Sequence, residues 1–372
     1  MRSFHSVRFV LLLCLPAMAW AQQSYPAAGT ATDPAAAAPQ TPALSPRPVP
    51  EPLPEVREGR IKLDVVVADK SGKPVSGLEL KDFALLDNNL PGKILSFQAF
   101  DATIQKPDPP VEVILVIDTV NLPFSQVSIT RQQIARFLLE NGGHLAEPTS
   151  LFVINDAGVT ARNRPTLDGG ALAAETNQLD VGLRSTGRAA GAWGAIERFS
   201  SSIKMFTAIA DSEAKKPGRK LLIWAGPGWP MLSGPNIETS AKGQQEIFNR
   251  IVQLSDKLRQ GHISVYSVAL GMPGIGTFLY QEYLKGVKKV EKADSTDLAL
   301  KVLAIQSGGR VLGPDNDLTA QLDKCVDDAS AFYTLSFDPP RADKPNEYHD
   351  LKIEVGKPGL TALTNTGYYN QP

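Results

Sequence analysis

Apolar positions along the 372-residue chain fall into successive regimes, and each change of pattern predicts a change of architecture. From Ile61 to Val67 apolar and polar residues nearly alternate, and Asp69-Lys70-Ser71-Gly72-Lys73-Pro74 then supplies a turn. A second run, Phe83 to Leu86, leads into Asp87-Asn88-Asn89, and Ile94 to Phe100 alternates again. Short alternating runs separated by Gly, Pro and Asn predict strands, so residues 60–108 are expected to form a small β domain. Continuous aliphatic runs follow at Val111–Ile117, Leu151–Ile154, Leu221–Trp224 and Ile263–Leu270, as suits strands covered on both faces. Between them the spacing becomes helical, with stripes at Ile134, Phe137 and Leu138; at Ile196, Phe199, Ile203 and Phe206; at Ile247, Ile251, Leu254 and Leu258; and at Leu298, Val302 and Ile305. Strand and helix alternating over residues 109–330 predict an α/β fold with a doubly wound, mostly parallel sheet. After a helix carrying Leu318, Leu322 and Cys325, strand character returns, and residues 331–372 are expected to form antiparallel strands that pack with the early β unit.

The first residues read differently. Arg2 and Arg8 precede an apolar run from Phe9 to Leu15, and Ala19-Trp20-Ala21 stands before Gln22. This is the pattern of a secretory signal peptide over residues 1–21, too short to span a bilayer, which needs about 20 apolar residues. Cys14 lies inside the apolar run without the small neighbours of a lipoprotein cleavage box, so no lipid anchor is expected. Residues 22–59 are rich in Ala, Pro, Thr and Ser, with prolines at 26, 34, 39, 42, 46, 48, 50, 52 and 54. Such a tract buries too little apolar surface to fold and serves as an extended spacer. The expectation is an exported protein, periplasmic or extracellular, with no transmembrane segment after cleavage.

Composition narrows the function by exclusion. A net charge of −1 offers no general attraction to nucleic acid. Of the two cysteines only Cys325 follows the leader, on the buried stripe of its helix, so it reads as an inert core thiol and no internal disulfide is expected. His144, His262 and His349 fit no metal-ligand spacing, and no G-x-S-x-G elbow occurs. Gly271-Met272-Pro273-Gly274-Ile275-Gly276 lacks phosphate-loop spacing and reads as a loop. The clusters Lys285, Lys288, Lys289, Lys292 and Lys215, Lys216, Arg219, Lys220 read as solvated surface.

Val113-Ile114-Leu115-Val116-Ile117-Asp118, opening an α/β domain, resembles the first strand of von Willebrand factor A domains. Val65 to Leu78 followed by Asp82-Phe83, then Ser307-Gly308-Gly309-Arg310, Asp327 to Leu335, Pro358-Gly359-Leu360 and Thr366-Gly367-Tyr368-Tyr369, together resemble the VWFA-related domain proteins of acidobacteria. The resemblance spans roughly residues 60 to 370 and implies an A-like domain, exported, in a group mostly of unassigned function. It also implies a divalent-cation site at the carboxyl end of the first strand, where a D-x-S-x-S loop offers oxygen ligands to Mg or Mn. Here the loop reads Asp118-Thr119-Val120-Asn121-Leu122, with apolar residues at both hydroxyl positions, and Ala225-Gly226-Pro227-Gly228 stands where the distal acid belongs.

Two readings of this loop follow. In one, Asp118, Asn121 and Thr186 form a rearranged Mg or Mn site. In the other, Asp118 and Asn121 bond to loop amides, as such residues do in turns, and no cofactor is needed. The second leads to an expected function: a non-enzymatic interaction or adhesion-type module whose sheet edge, with Asp118, Thr119, Asn121, Gly226, Gly228 and Trp229, contacts a protein or cell-envelope partner. Trp229 either meets that partner or folds back onto the domain. The alternatives are a metal-dependent adhesion domain and an exported enzyme with a non-local site, which would need His144 or His262 clustered with a carboxylate and a hydroxyl.

Overall fold

The computed structural model describes residues 59–178, 191–232, 240–271, 278–313 and 315–372. The leader, the spacer, Thr186 and most of the glycine-rich loop after Gly271 lie outside the described residues. The chain opens with strands β1 (Ile61–Ala68), β2 (Phe83–Asp87), β3 (Leu90–Gly92) and β4 (Ser96–Asp101). Then come β5 (Glu112–Asp118), α1 (Phe124–Leu139), β6 (His144–Asn155), β7 (Gly158–Asp168), α2 (Gly169–Gln178) and α3 (Gly191–Glu213). They are followed by β8 (Lys220–Ala225), α4 (Ala241–Gln260), β9 (Ile263–Val268), α5 (Phe278–Gln281), α6 (Leu300–Gln306) and α7 (Leu318–Asp327). β10 (Ala331–Phe337), β11 (Glu347–Val355), β12 (Thr361–Leu363) and β13 (Gly367–Asn370) complete it.

The central sheet has the order β7-β6-β5-β8-β9 and is parallel except for β7, which returns antiparallel along β6. Its apolar runs are continuous because helices cover both faces. Ile114, Val116, Leu222 and Trp224 pack with residues of α3, α4 and α6 on one side. Val113, Leu115, Leu221 and Ile223 pack with α1, α2 and α7 on the other. Ile196, placed by its spacing on the α3 core stripe, is partly exposed, so that stripe begins at Phe199. β7 has no apolar run to announce it. It forms because Asn155 Oδ1 accepts the Ala157 amide at 2.9 Å and turns the chain back as a hairpin.

Residues 60–108 and 331–372 form one β unit. Their strands interleave in two antiparallel sheets, β12-β1-β10-β4 and β13-β11-β2-β3. β1 runs beside β10 from Ile61↔Phe337 to Val65↔Tyr333, and β2 beside β11. Leu63, Val65, Leu85, Tyr333, Leu335, Ile353 and Tyr368 fill the space between the sheets. Tyr333 Oη accepts the Leu78 amide at 3.1 Å and donates to Val75 O at 2.9 Å, pinning the loop after β1.

The unit is tied to the α/β layer through Asp328, which is fully buried. Arg310 grips it with two bonds, Nε to Oδ2 at 2.7 Å and Nη2 to Oδ1 at 2.6 Å, and Tyr266 Oη donates to Oδ2 at 3.0 Å. The bend that presents Arg310 needs Gly309, because a Cβ there would lie 1.9 Å from Val265 O on β9.

Candidate functional site

β5 is the middle strand of the parallel sheet, and Asp118 is its last residue, at the carboxyl edge where open α/β sheets place their sites. The Asp118 carboxylate is completely buried. Oδ1 accepts the backbone amides of Val120 at 3.0 Å and Asn121 at 2.9 Å. Oδ2 accepts Asn121 Nδ2 at 2.9 Å and Trp224 Nε1 at 3.0 Å. Burial pushes this carboxyl above the usual range, while the donors from Asn121, Trp224 and Val120 pull against that rise.

The surrounding residues hold this arrangement. Asn121 Nδ2 also donates to Ser202 Oγ on α3 at 2.9 Å. Thr119 Oγ1 donates to Ile154 O at 2.8 Å, fastening the loop to β6. Val120 and Leu122 are buried. Gly226 is required where the chain leaves β8, since a Cβ there would stand 2.6 Å from Asp118 Cβ. Gly228 turns in the left-handed region at φ 75°, with Leu300 against it.

These residues do not fit a divalent cation. A hard cation seeks oxygen lone pairs in octahedral array, and both Asp118 oxygens already face two N–H donors each. The flanking positions carry Val120 and Leu122 instead of hydroxyls, and Gly226 stands in place of the distal acid. Among the described residues no three His, Cys, Asp or Glu side chains converge as a metal would need. Thr186, the third ligand of the rearranged-site reading, lies outside the described residues.

Trp229 folds back onto the domain, the second of its two sequence readings, and does not stand at a partner surface. It is 5% exposed, its Nε1 donates to Leu298 O at 2.9 Å, and its ring meets Trp224 edge-on at 5.4 Å. The glycine and prolines beside it fold the loop back, so the indole fills the core beneath the edge. The cluster Lys215, Lys216, Arg219, Lys220 is also not uniformly surface. Lys220 is buried, donating to the carbonyls of Lys216, Gly218 and Gly261, and burial lowers its pKa. Arg219 is buried beside it. Cys325 is a buried free thiol whose pKa burial raises.

Beside Asp118 the edge carries a groove of about 510 Å³ between the β6–β7 hairpin and α3. Val120, Val159 and Met205 give it an apolar side, and Glu197, Arg198 and Lys204 a charged one. Trp193, 79% exposed, lies one turn before Glu197 on the same helix. Sequence reasoning passed over Trp193 and Ser202. The signal was present for Trp193, a lone aromatic among Ala and Gly off the apolar stripe.

The histidines divide. His144 is exposed, whereas His262 Nδ1 meets Asp64 Oδ2 at 2.9 Å and Thr334 Oγ1 donates to Asp64 Oδ1 at 3.2 Å. Histidine, carboxylate and hydroxyl thus cluster, but the hydroxyl bonds to the acid and not to the imidazole, which is not the order a nucleophile and its base require.

No family model matches the chain, and no curated protein sequence does. Among solved structures, the VWA domain of SpRpn10 is similar at 12% identity and a TM-score of 0.29, over 57% of this chain and 93% of that one. The TFIIH p34 N-terminal domain is similar at 10% identity and a TM-score of 0.27, over 58% of this chain and 96% of that one.

Proposed function

We propose that the protein is an exported, non-enzymatic interaction module that engages a protein partner through the carboxyl edge of its central sheet without a metal ion. The reading rests on one observation above all: the Asp118 carboxylate, which would have to coordinate a cation, is satisfied on both oxygens by four N–H donors of the protein itself. The edge is therefore ordered by its own bonds. The contact surface moves from Trp229, which is core, to Trp193 and the groove beside Asp118. An exposed tryptophan next to an apolar groove rimmed by charge is the composition of a protein-binding hot spot.

The signal-peptide pattern of residues 1–21 and the proline-rich tract after it support export, with the tract as a spacer. No helix among the described residues is long and apolar enough to cross a membrane. The test is site-specific photocrosslinking in native envelopes, with the crosslinker at the exposed Glu197 of the groove or, as control, at the exposed Lys352 on β11. One discrete protein adduct from position 197, absent from position 352 and lost with Val159→Asp, supports the reading. Equal adducts from both positions sink it.

A further inference from the structure

The opposite, amino edge of the central sheet faces the β1–β10–β4 side of the β unit, and a cleft of about 680 Å³ lies between them. Val111, Arg219 and His262, each the residue immediately before a parallel strand, enter it from the sheet. Asp64, Phe332 and Thr334 enter from β1 and β10, alternating with residues that fill the sandwich core.

The cleft has two unlike walls. Phe100 and Phe332 stack at 4.6 Å between ring centroids, and Ile104 stands beside them 85% exposed, an apolar side chain left without cover. The polar wall is built with care. His262 holds a left-handed backbone at φ 53°, a conformation that persists in a non-glycine residue only where its surroundings impose it, and here Asp64 fixes the ring. Burial alone would raise the Asp64 carboxyl, but the His262 bond, the nearby Arg219 charge and the Thr334 hydroxyl hold it below the usual range.

Arg219 is the unexplained group. It is 5% exposed, its guanidinium lies 4.6 Å over the Phe332 ring, and Nη1 donates at 2.7 Å to a neutral carbonyl, Asp328 O. Its Nε is buried with no hydrogen-bond partner among the described residues. A guanidinium taken out of water without a hydrogen-bonded counter-ion is costly, and an anion entering the cleft would relieve that cost. The exposed Lys62 lines the same cleft and adds a second cation.

We infer that this cleft is a binding site for a carboxylate with an apolar body, the acid group meeting Arg219 and Lys62 and the body lying on the Phe100–Phe332 stack and Ile104. A free organic acid and the carboxyl-terminal hydrophobic residue of a peptide share this chemistry.

The experiment is calorimetric titration of the full chain with 3-phenylpropionate and with its amide, then with N-acetyl-Gly-Phe bearing a free or an amidated terminus. The expected result is saturable binding of the acids, with each amide at least about tenfold weaker, the loss of roughly one charge-assisted hydrogen bond. Stronger binding of the acetylated dipeptide acid identifies a peptide terminus, and stronger binding of 3-phenylpropionate a free acid. Lys62→Ala, at an exposed position, weakens the acids and leaves the amides unchanged, and Arg219→Gln removes the preference for acid. Should Arg219→Gln fail to fold, the acid and amide comparison on the unaltered chain and on Lys62→Ala still decides. Acid and amide binding alike, or neither binding at about 10 mM, overturns the inference.

Discussion

Trp224 on β8 reaches across to the end of β5 and donates its indole N–H to Asp118 Oδ2 at 3.0 Å, on the oxygen that also takes the Asn121 side chain. A tryptophan in this position turns a potential ligand into a structural acceptor. Asp118→Ala would leave four donors facing a buried void, and breaking such a buried charged network costs about 3–5 kcal/mol. Urea unfolding measures this directly. Trp224→Phe removes one donor while keeping most of the ring, and a smaller loss of about 1–3 kcal/mol is expected. An Asp118→Ala variant as stable as the parent would mean the carboxylate is not a structural acceptor.

The two tryptophans near the edge are expected to separate stability from binding. Trp229 packs on Trp224 and Phe206, so Trp229→Ala should destabilise by about 3–5 kcal/mol, as for other buried large aromatics. Trp193 is exposed, and Trp193→Ala should stay within about 0.5 kcal/mol of the parent while abolishing the crosslinked partner. Thermal unfolding of the two variants side by side checks the contrast.

Asp297 carries a pH dependence. It is 4% exposed, its Oδ2 accepts the Asp294 amide at 2.8 Å, and burial raises its carboxyl to about 7, with the neighbouring Asp294 charge adding to the rise. A folded pKa above the unfolded value of about 3.9 means that the stability from this group is fully present below pH ~4 and is lost as pH rises through ~7. Asp297→Asn keeps the acceptor and cannot ionise. Its stability relative to the parent should therefore grow between pH 4 and 7, by at most about 1.4 kcal/mol per pH unit, and level off above. Denaturant titrations at pH 4, 6 and 8 test it, and a difference that stays flat over that range would contradict the assignment.

Local pattern carried the parallel strands and most helices, because a strand buried on both faces must read as an aliphatic run, as β5 and β8 do. β7 escaped because its residues are those of a half-exposed edge strand. Asp118 and its missing hydroxyl neighbours were legible in five consecutive residues, but the partners that decide its chemistry were not. Trp224 is 106 positions away and Ser202 is 81 from Asn121, separations that only the fold closes. Arg219 and Lys220 looked like surface because a basic run usually is, and only their carbonyl partners bring them inside. Trp229 stayed open between partner surface and core for the related reason that a Gly-Pro-rich loop reads as exposed, while here it folds a ring into the core.

Whether the carboxyl edge needs a cation decides between the two readings of Asp118. Thermal unfolding of the full chain in excess EDTA, in 1 mM MgCl₂ and in 1 mM MnCl₂ measures this. Asp118 already saturated by protein donors predicts identical transitions in all three. A site binding at about 10 μM would instead stabilise the folded chain by about 2.7 kcal/mol at 1 mM metal. A metal-dependent rise of that size, lost in Asp118→Asn, would contradict the account.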